Sequence, residues 1–478
     1  MSSSPSGASE DGNGSSGSGG ALWGGRFSEG LAPEMTHLNL SLDVDFRLWR
    51  HDIRGSKAWA AALGRAGLLD AAEVSTLQDG LGRVAERLDS GVPADAEDED
   101  IHSLVERLLV EEVGAVGGKL HSGRSRNDQV ATDVRLWGME ALAQLESQVE
   151  ELAHALCSLA DRGLDIIMPG YTHLQQGQPL RAAHWALSHV WPLLRDRERI
   201  RRVREDAGVL PLGSGAVAGC PFPVDRRALA ATLGFHTVTQ NSLDAVSDRD
   251  WMADAVYAGA LLGTHLSRLG EDLVLFSSRE FGFVRLADGY STGSSLMPQK
   301  RNPDVAELVR GKSGRLIGNA TAILTLLKGL PTGYNRDLQE DKTALFDTVD
   351  TLALILPAMA GAVATAEFRP TRIHEALDTQ LLATDLADYL VRKGVPFRES
   401  HEAVGRLVRE AEEHSCSLED LGDEVFRTAH SGFATDVRTV FDWEASVEAR
   451  AALGGTARSA VTAQLQAARE KLAEGGEG

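Results

Sequence analysis

The sequence predicts an all-α protein of three mainly helical domains around a central bundle of long helices, and three observations carry that prediction. Hydrophobic residues make up 43% of the 478 positions but aromatics only 5%, so the interior must be filled by Leu, Val, Ile and Ala. That palette favours helices over packed sheets. Across residues 131–161 the positions Leu142, Leu145, Val149, Leu152, Leu156 and Leu159 step by three and four, which is one stripe along a long helix. Alternating β-branched runs bounded by turn pairs are largely missing, so strand content should be small.

In chain order, residues 1–20 contain fourteen Ser or Gly and no Leu, Ile, Val or aromatic. Such a stretch cannot offset the entropy of ordering and reads as a disordered tail. Residues 21–124 form an N-terminal helical domain, interrupted by the Gly-, Pro- and acid-rich stretch GVPADAEDED at 91–100 and closed by KLHSGRSRND at 119–128. Residues 125–377 form the central long-helix bundle. Its segments 250–280, 303–329 and 342–365 are apolar on several sides, as expected of helices buried in a bundle. Helices of about 30 residues would run about 45 Å. Near Asp378 the very apolar helices give way to charged amphipathic ones such as 387–413, so residues 378–478 form a C-terminal helical domain. No repeat at a fixed period of 20–50 residues points to a solenoid.

Charge and cysteine usage exclude several classes of function. The formal net charge of −21 argues against affinity for nucleic acid or an anionic membrane. Cys157, Cys220 and Cys416 are too few and scattered for a disulfide framework or a zinc site, and read as free thiols of a reducing cytosol. The longest nearly apolar run, 352–366, is shorter than the about 18–20 residues of a membrane span and contains Pro357. The N-terminus lacks the basic start and apolar core of a secretory signal. A soluble cytoplasmic protein is expected.

The most informative stretch is STGSSLMPQKRNPD at 291–304. Its first half has no helical periodicity and reads as a mobile loop. Its second half reads as a helix start, with Asn302 as N-cap and Pro303 as first helical residue. Free N–H groups beside Lys300 and Arg301 would make an anion site. Read alone, the stretch is equally an ordinary surface loop before a capped helix. Three further polar breaks stand out: HSGRSRNDQ at 121–129, GYTHLQQ at 170–176 and YNRDLQEDK at 334–342. Taken singly each is a solvated turn. Together they offer cations, amides, a loop hydroxyl and an imidazole, with no metal-ligand cluster and no dinucleotide or phosphate-binding loop. That set suits metal-free, cofactor-free proton chemistry on a multiply anionic small substrate.

The stretch GSSLMPQKRNP at 293–303 resembles the hallmark loop GSSxMPxKxNP of the fumarase/aspartase superfamily. WGGRF at 23–27, DEDIH at 98–102, GKLHSGRSRNDQV at 118–130, GYTHLQ at 170–175, LPLGSGA at 210–216, KGLPTGYNRDLQEDK at 328–342 and ALGGTARSAV at 452–461 narrow the resemblance to the argininosuccinate lyases, from about Leu22 onward. The resemblance implies cofactor-independent β-elimination of argininosuccinate to arginine and fumarate, the last step of arginine biosynthesis. It also implies a homotetramer whose active sites combine segments of several subunits.

By the same resemblance Lys300 and Asn302 hold the substrate carboxylate as charge develops on it, and Ser294 is the favoured base. His173 protonates the departing nitrogen or relays a proton, and Glu307 pairs with it. Which of Ser294 and His173 is base and which is acid stays open at this level. Substrate binding is implied for Ser41, Asn127, Thr172, Tyr334, Gln339 and Lys342, with Arg126 and His102 as additions. Two alternatives remain: another lyase of the superfamily, or a crystallin-like structural relative. The HSGRSRNDQ and YNRDLQEDK stretches argue against the first, and the intact site positions argue against the second.

Overall fold

The computed structural model describes residues 31–93 and 96–474. The Ser/Gly-rich residues 1–20 and the WGGRF motif lie outside the described residues. In chain order the elements that matter for function are helices α1 (Trp49–Arg65), α2 (Ala71–Leu88), α3 (Ile101–Val113) and α4 (Arg126–Arg162), then strands β1 (Ile167–Thr172) and β2 (Gln175–Arg181). Helices α5 (Ala182–Ala207) and α6 (Asp250–Ser277) follow, then β3 (Val284–Arg285), α7 (Asp304–Leu327), α8 (Asp341–Ala364) and β4 (Glu367–Phe368). The C-terminal region holds α9 (Ala383–Arg392), α10 (Phe397–His414) and α11 (Trp443–Glu448), among others. The protein is mainly helical, as its periodicity predicts. Sheet among the described residues is limited to two-stranded pairs: β1 with β2, β3 with β4, and Val209–Leu210 with Thr237–Val238.

Local signals explain the helix boundaries. Asp70 accepts the Glu73 N–H while the Glu73 side chain accepts the Asp70 N–H, a reciprocal cap that starts α2. Asp100 caps α3 through the Ser103 N–H. Helix α4 has 37 residues, about 55 Å of rise, and the five leucines and one valine of its stripe are all buried.

The chain divides into two compact units. The first takes the described residues up to Trp137 together with Gly208–Asp248 and Pro331–Lys342. Its core lies where α1 packs on α2 and α3, with Trp59, Leu63, Leu77, Leu81, Leu104 and Leu108 fully enclosed. The second takes Gly138–Ala207, Arg249–Leu330 and the described residues from Thr343 onward. In it α6 packs against α5 and α7. The last region adds a buried cluster of its own, with Leu386 and Leu390 of α9, Leu407 of α10, and Phe426 and Phe433. The segment Arg336–Ala364 is long and apolar enough to cross a membrane by composition, but 56% of its most apolar window is buried in the fold. Leu352, Leu356, Met359 and Val363 are enclosed, the pattern of a core helix.

Two close approaches frame the segment between α6 and α7. A Cβ at Gly270 of α6 would stand 2.8 Å from the carbonyl oxygen of Ala306 in α7. Any side chain at Gly361 of α8 would collide with the Tyr290 hydroxyl. Tyr290 is the residue just before the Ser-rich loop, so its ring is seated on α8 only because position 361 is glycine. Ala is the better helix former by about 1 kcal/mol, yet Gly361→Ala is expected to lose about 1–3 kcal/mol by overpacking, read as a lower denaturant midpoint. A variant as stable as the parent would show that Tyr290 is not held there.

Candidate active site

In the second unit, β1 and β2 pair antiparallel with Tyr171 opposite Gln176 and Thr172 opposite Gln175, which leaves His173 and Leu174 as a two-residue turn. Both have positive φ, 55° and 56°. That is the primed turn whose twist matches a hairpin, normally built from Asn and Gly. Left-handed backbone at a non-glycine residue costs about 1–2 kcal/mol, and Leu174 has no side-chain acceptor to soften it. The hairpin is held from outside the turn. Gln176 Nε2 donates to the Ala376 carbonyl at 2.9 Å. At the foot, the fully buried Arg181 donates to the Leu164 carbonyl at 2.9 Å, to Glu448 Oε1 at 2.6 Å and to Glu444. The Arg181 N–H also donates to Thr456 Oγ1 at 2.8 Å. Around the root, Tyr171 meets Phe281 at 5.5 Å between ring centres and Trp185 meets Phe276 at 5.3 Å. Strained turns of this kind cluster at functional sites. Here the strain presents Thr172 and His173 at an exposed tip.

The Ser-rich loop is closed by a backbone bridge. The Thr292 N–H donates to the Asn302 carbonyl at 3.2 Å, and the Asn302 N–H returns to the Thr292 carbonyl at 2.8 Å. Asn302 Nδ2 reaches Thr292 Oγ1 at 3.3 Å, and Thr292 Oγ1 donates to Asp304 Oδ2 at 2.5 Å. Arg301 binds Asp288 and the Leu286 carbonyl. These contacts correct the expected cap. Helix α7 begins at Asp304, with Pro303 in the N-cap position and no side-chain cap. Asn302 is not the cap because Thr292 holds both of its backbone groups in an extended bridge.

Inside the loop, Ser294 Oγ accepts the N–H groups of Leu296 at 3.3 Å and Met297 at 3.0 Å. Two donors aimed at one hydroxyl oxygen favour its deprotonated form. Lys300 is exposed on the same loop, and Glu307 lies 4.0 Å from Arg310 in the first turns of α7. Among the described residues no hydrogen bond or ion pair joins Glu307 to His173, or either of them to Ser294.

The first unit places its site residues around a buried ionic cluster. His102 of α3 is 1% exposed, with Nδ1 at 2.6 Å from Asp52 Oδ2 of α1 and 3.3 Å from Asp133 Oδ2 of α4. Gln129 Nε2 donates to Asp52 at 2.6 Å, Ser56 Oγ donates to Asp52 at 3.1 Å, and Arg124 donates to Ser56 at 2.9 Å. Burial alone would lower the His102 pKa. Its bonds to Asp133 and Asp52, with the charge of Asp100, reverse this and raise it to about 10. Burial and repulsion from Asp52 push Asp133 up to about 7. Asp52, His102 and Asp133 converge closely enough to ligate a metal. Ligation would require the imidazole to give up its proton, and the two aspartates beside it favour keeping that proton. His102, expected among the substrate ligands, lies beneath the surface.

Other expected residues line the same unit. Ser41 Oγ donates to Asp45 Oδ2 at 2.7 Å, and Asp45 in turn accepts the Ile101 N–H at 3.0 Å. Arg126 donates to Gln129 Oε1 at 2.9 Å and to Ser103 Oγ at 3.3 Å. Asn127 Nδ2 reaches the Ala216 carbonyl at 3.4 Å, in a loop that Asp128 pins by accepting the N–H groups of Gly213 at 2.9 Å and Gly215 at 2.8 Å. Gln339 Nε2 donates to the Asn39 carbonyl at 3.1 Å. Lys342 is buried, with Nζ 2.9 Å from Asp341 Oδ1, and Tyr334 is half-buried. Sequence reasoning missed Asp52, Asp133, Asp128 and Gln129. The last two sit inside the HSGRSRNDQ stretch, but the aspartates of α1 and α4 carry no local signal.

The His102 shift has a pH consequence. Its pKa rises from an ordinary 6.5 to about 10 on folding, so its contribution is complete below about 6.5 and is lost as pH rises through about 10. The denaturant midpoint is therefore expected to fall between pH 7 and 10, and His102→Gln should flatten that fall. Equal slopes in parent and variant would show that the ring is not cationic.

Comparison with known proteins supplies the family. Residues 25–318 match the Lyase family, and residues 380–448 match the Argininosuccinate lyase C-terminal family. The argininosuccinate lyase of Roseiflexus sp. (strain RS-1) is 56% identical over 454 residues, covering 95% of this chain and 100% of its own. That of Chlamydomonas reinhardtii is 48% identical over 458 residues, covering 95% and 97%. Among solved structures, EDDS lyase in complex with formate aligns with a TM-score of 0.83 at 27% identity, over 93% of this chain and 90% of that one. An EDDS lyase variant with bound fumarate aligns at 0.82 and 26% identity, over 94% and 91%. A mainly helical fold, the serine loop and 48–56% identity to argininosuccinate lyases over 95% of the chain lead to one assignment: the chain belongs to the argininosuccinate lyase family, carbon–nitrogen lyases of the fumarase/aspartase superfamily.

Proposed function

We propose that Ser294 is the base in the family's reaction, elimination of fumarate from argininosuccinate with release of arginine. The observation that supports this most directly is the pair of N–H groups, from Leu296 and Met297, that converge on Ser294 Oγ. An unassisted hydroxyl is a poor base; these donors, with the ammonium of Lys300 on the same loop, favour the alkoxide. Ser294 takes the proton from the carbon beside a carboxylate, and the electron pair of that C–H bond spreads onto the carboxylate oxygens. Lys300 and Asn302 hold the doubly charged group that results, the largest expected term in the catalysis. As the electrons return to form the C=C bond, the C–N bond breaks. His173 then gives a proton to the departing guanidinium nitrogen, which leaves as arginine. Only protons and electron pairs move, so no cofactor is called for. The fumarate bound to the EDDS lyase variant supports the product assignment.

Ser41, Asn127, Thr172, Tyr334, Gln339 and Lys342 bind the substrate in this reading, with Arg126 beside them. His102 contributes through the buried cluster that fixes Gln129 and, through it, Arg126. Glu307 pairs with His173 across subunits, which accounts for the lack of a partner for that ring among the described residues. Support for a homotetramer comes from α6, α7 and α8: Tyr257, Ile317, Leu324 and Leu354 are 57%, 50%, 60% and 61% exposed. Tyr257, Ile317 and Leu324 border a cavity of about 590 Å³ between α6 and α7, walled by Ala260, Leu261 and Ala320. Apolar faces of this kind are covered in water, and further copies of the chain are the proposed cover. The protein is read as soluble and cytoplasmic, with no nucleic-acid or membrane partner. Its domain boundaries are placed near 124 and 378, the latter supported by the separate cluster around Leu390 and Phe426.

Mixing the protein with argininosuccinate should release arginine and the ultraviolet absorbance of fumarate. A folded tetramer without turnover would favour the crystallin-like alternative. Ser294→Ala and His173→Asn should each lower kcat by about a hundred- to ten-thousandfold while light scattering still reports a tetramer. Near-normal kcat in either variant would remove that residue from its role, and an active monomer would defeat the shared site.

A further inference from the structure

We propose that a cavity behind the neck of the serine loop is a binding site for a small, multiply charged oxyanion of the phosphate type, and that its occupancy restrains the loop. The cavity, about 400 Å³, lies within the second unit and is lined by Arg285, Arg301, Arg369, Ser277, Ser291 and Asn302 among others, with no carboxylate in its wall. Its three arginines come from separate stretches: the end of β3, the loop neck, and the residue after β4. Arg301 is tied to Asp288 and the Leu286 carbonyl. The side chains of Arg285 and Arg369 have no hydrogen-bond or ion-pair partner among the described residues. Glu367 stands opposite Arg285 in the β3–β4 register and makes no ion pair with it.

In a chain with 69 acidic and 48 basic residues, where most arginines find a carboxylate, a cavity lined by three arginines of which only Arg301 is paired departs from the general pattern. Like charges facing one space repel. A dianion relieves that repulsion, and the planar guanidinium fork matches phosphate oxygens two at a time. The start of α7 adds its positive dipole end, since Asn302 and Pro303 belong to the wall.

The coupling to the loop follows from shared residues. Ser291, Arg301 and Asn302 line the cavity; Asn302 is one end of the Thr292–Asn302 bridge that closes residues 293–301 into a loop, and Ser291 and Arg301 adjoin it. An anion held by Arg285 and Arg369 and touching Arg301 would fix the neck and slow opening of the loop. Such opening steps commonly limit turnover.

Inorganic phosphate is the probe, titrated into the full-length protein by calorimetry at constant ionic strength with chloride as the balancing salt. Saturable binding at one site per chain is expected, at least tenfold weaker in Arg285→Gln and in Arg369→Gln, with Arg285→Lys partly restoring it. Neither arginine belongs to the proposed catalytic set, so both variants should keep the parent kcat without phosphate and an unchanged far-ultraviolet circular dichroism spectrum. Phosphate should lower kcat of the parent without raising KM, and leave the variants unaffected. Equal phosphate affinity in parent and variants would overturn the proposal. So would displacement of phosphate by argininosuccinate in the variants, which would place the anion in the substrate's own carboxylate subsite. The calorimetric result does not depend on turnover, so it can fail while the lyase roles stand.

Discussion

The start of α7 is fixed by a steric contact. The Ala306 carbonyl lies where the side chain of any other residue at position 270 would begin, so α6 and α7 cross at backbone distance. The residues around the start of α7 inherit that placement: Asn302 and its bridge to Thr292, Lys300 two residues earlier, and Glu307 one residue beyond the contact. The other end of the loop is seated by the same means, with Tyr290 resting on Gly361. The loop is thus suspended between two glycine contacts that leave its ends no room to drift. Close packing, rather than hydrogen bonding, sets the frame.

The charged groups that position and the ones proposed for proton transfer and charge stabilisation differ in burial. Those that position are enclosed: Arg181 at the foot of the hairpin, and His102 with Asp52 and Asp133 beneath the first unit's polar face. Those assigned to chemistry, His173 and Lys300, are exposed, and Ser294 is partly so. Burying an ion is costly unless it is fully paired, and removing one partner of such a pair typically loses about 3–5 kcal/mol. Arg181 meets two glutamates and a carbonyl, and His102 meets two aspartates.

The helices were legible in the sequence because their information is local and periodic. The stripe from Leu142 to Leu159 needs only a 3.6-residue repeat, and α4 follows it. The serine loop was legible because its working residues are contiguous. The hairpin of Ile167–Arg181 was not. Its sequence is rich in Gln, carries Pro169 and Pro179, and lacks β-branched alternation; it forms strands because Arg181, Gln176 and the ring cluster around Tyr171 hold it there. The burial of His102 was equally hidden, since the partners that enclose it come from helices about 30 and 50 positions away in sequence. Asn302 had the residue type of a helix cap, but a backbone bridge from Thr292 took the groups that capping would use.

The two-residue turn at His173 and Leu174 carries a constraint of length as well as of residue type. Surface loops are ordinarily where families accumulate insertions. Here an added or deleted residue would move the pairing of Thr172 with Gln175, and a shift of one position turns every side chain of the strand to the opposite face. The imidazole would then point away from its present side, however well the rest of the fold survived. In an alignment of relatives, a gap at this tip would therefore be a more telling sign of lost chemistry than many substitutions elsewhere, because the ruler that aims the ring would have changed its length.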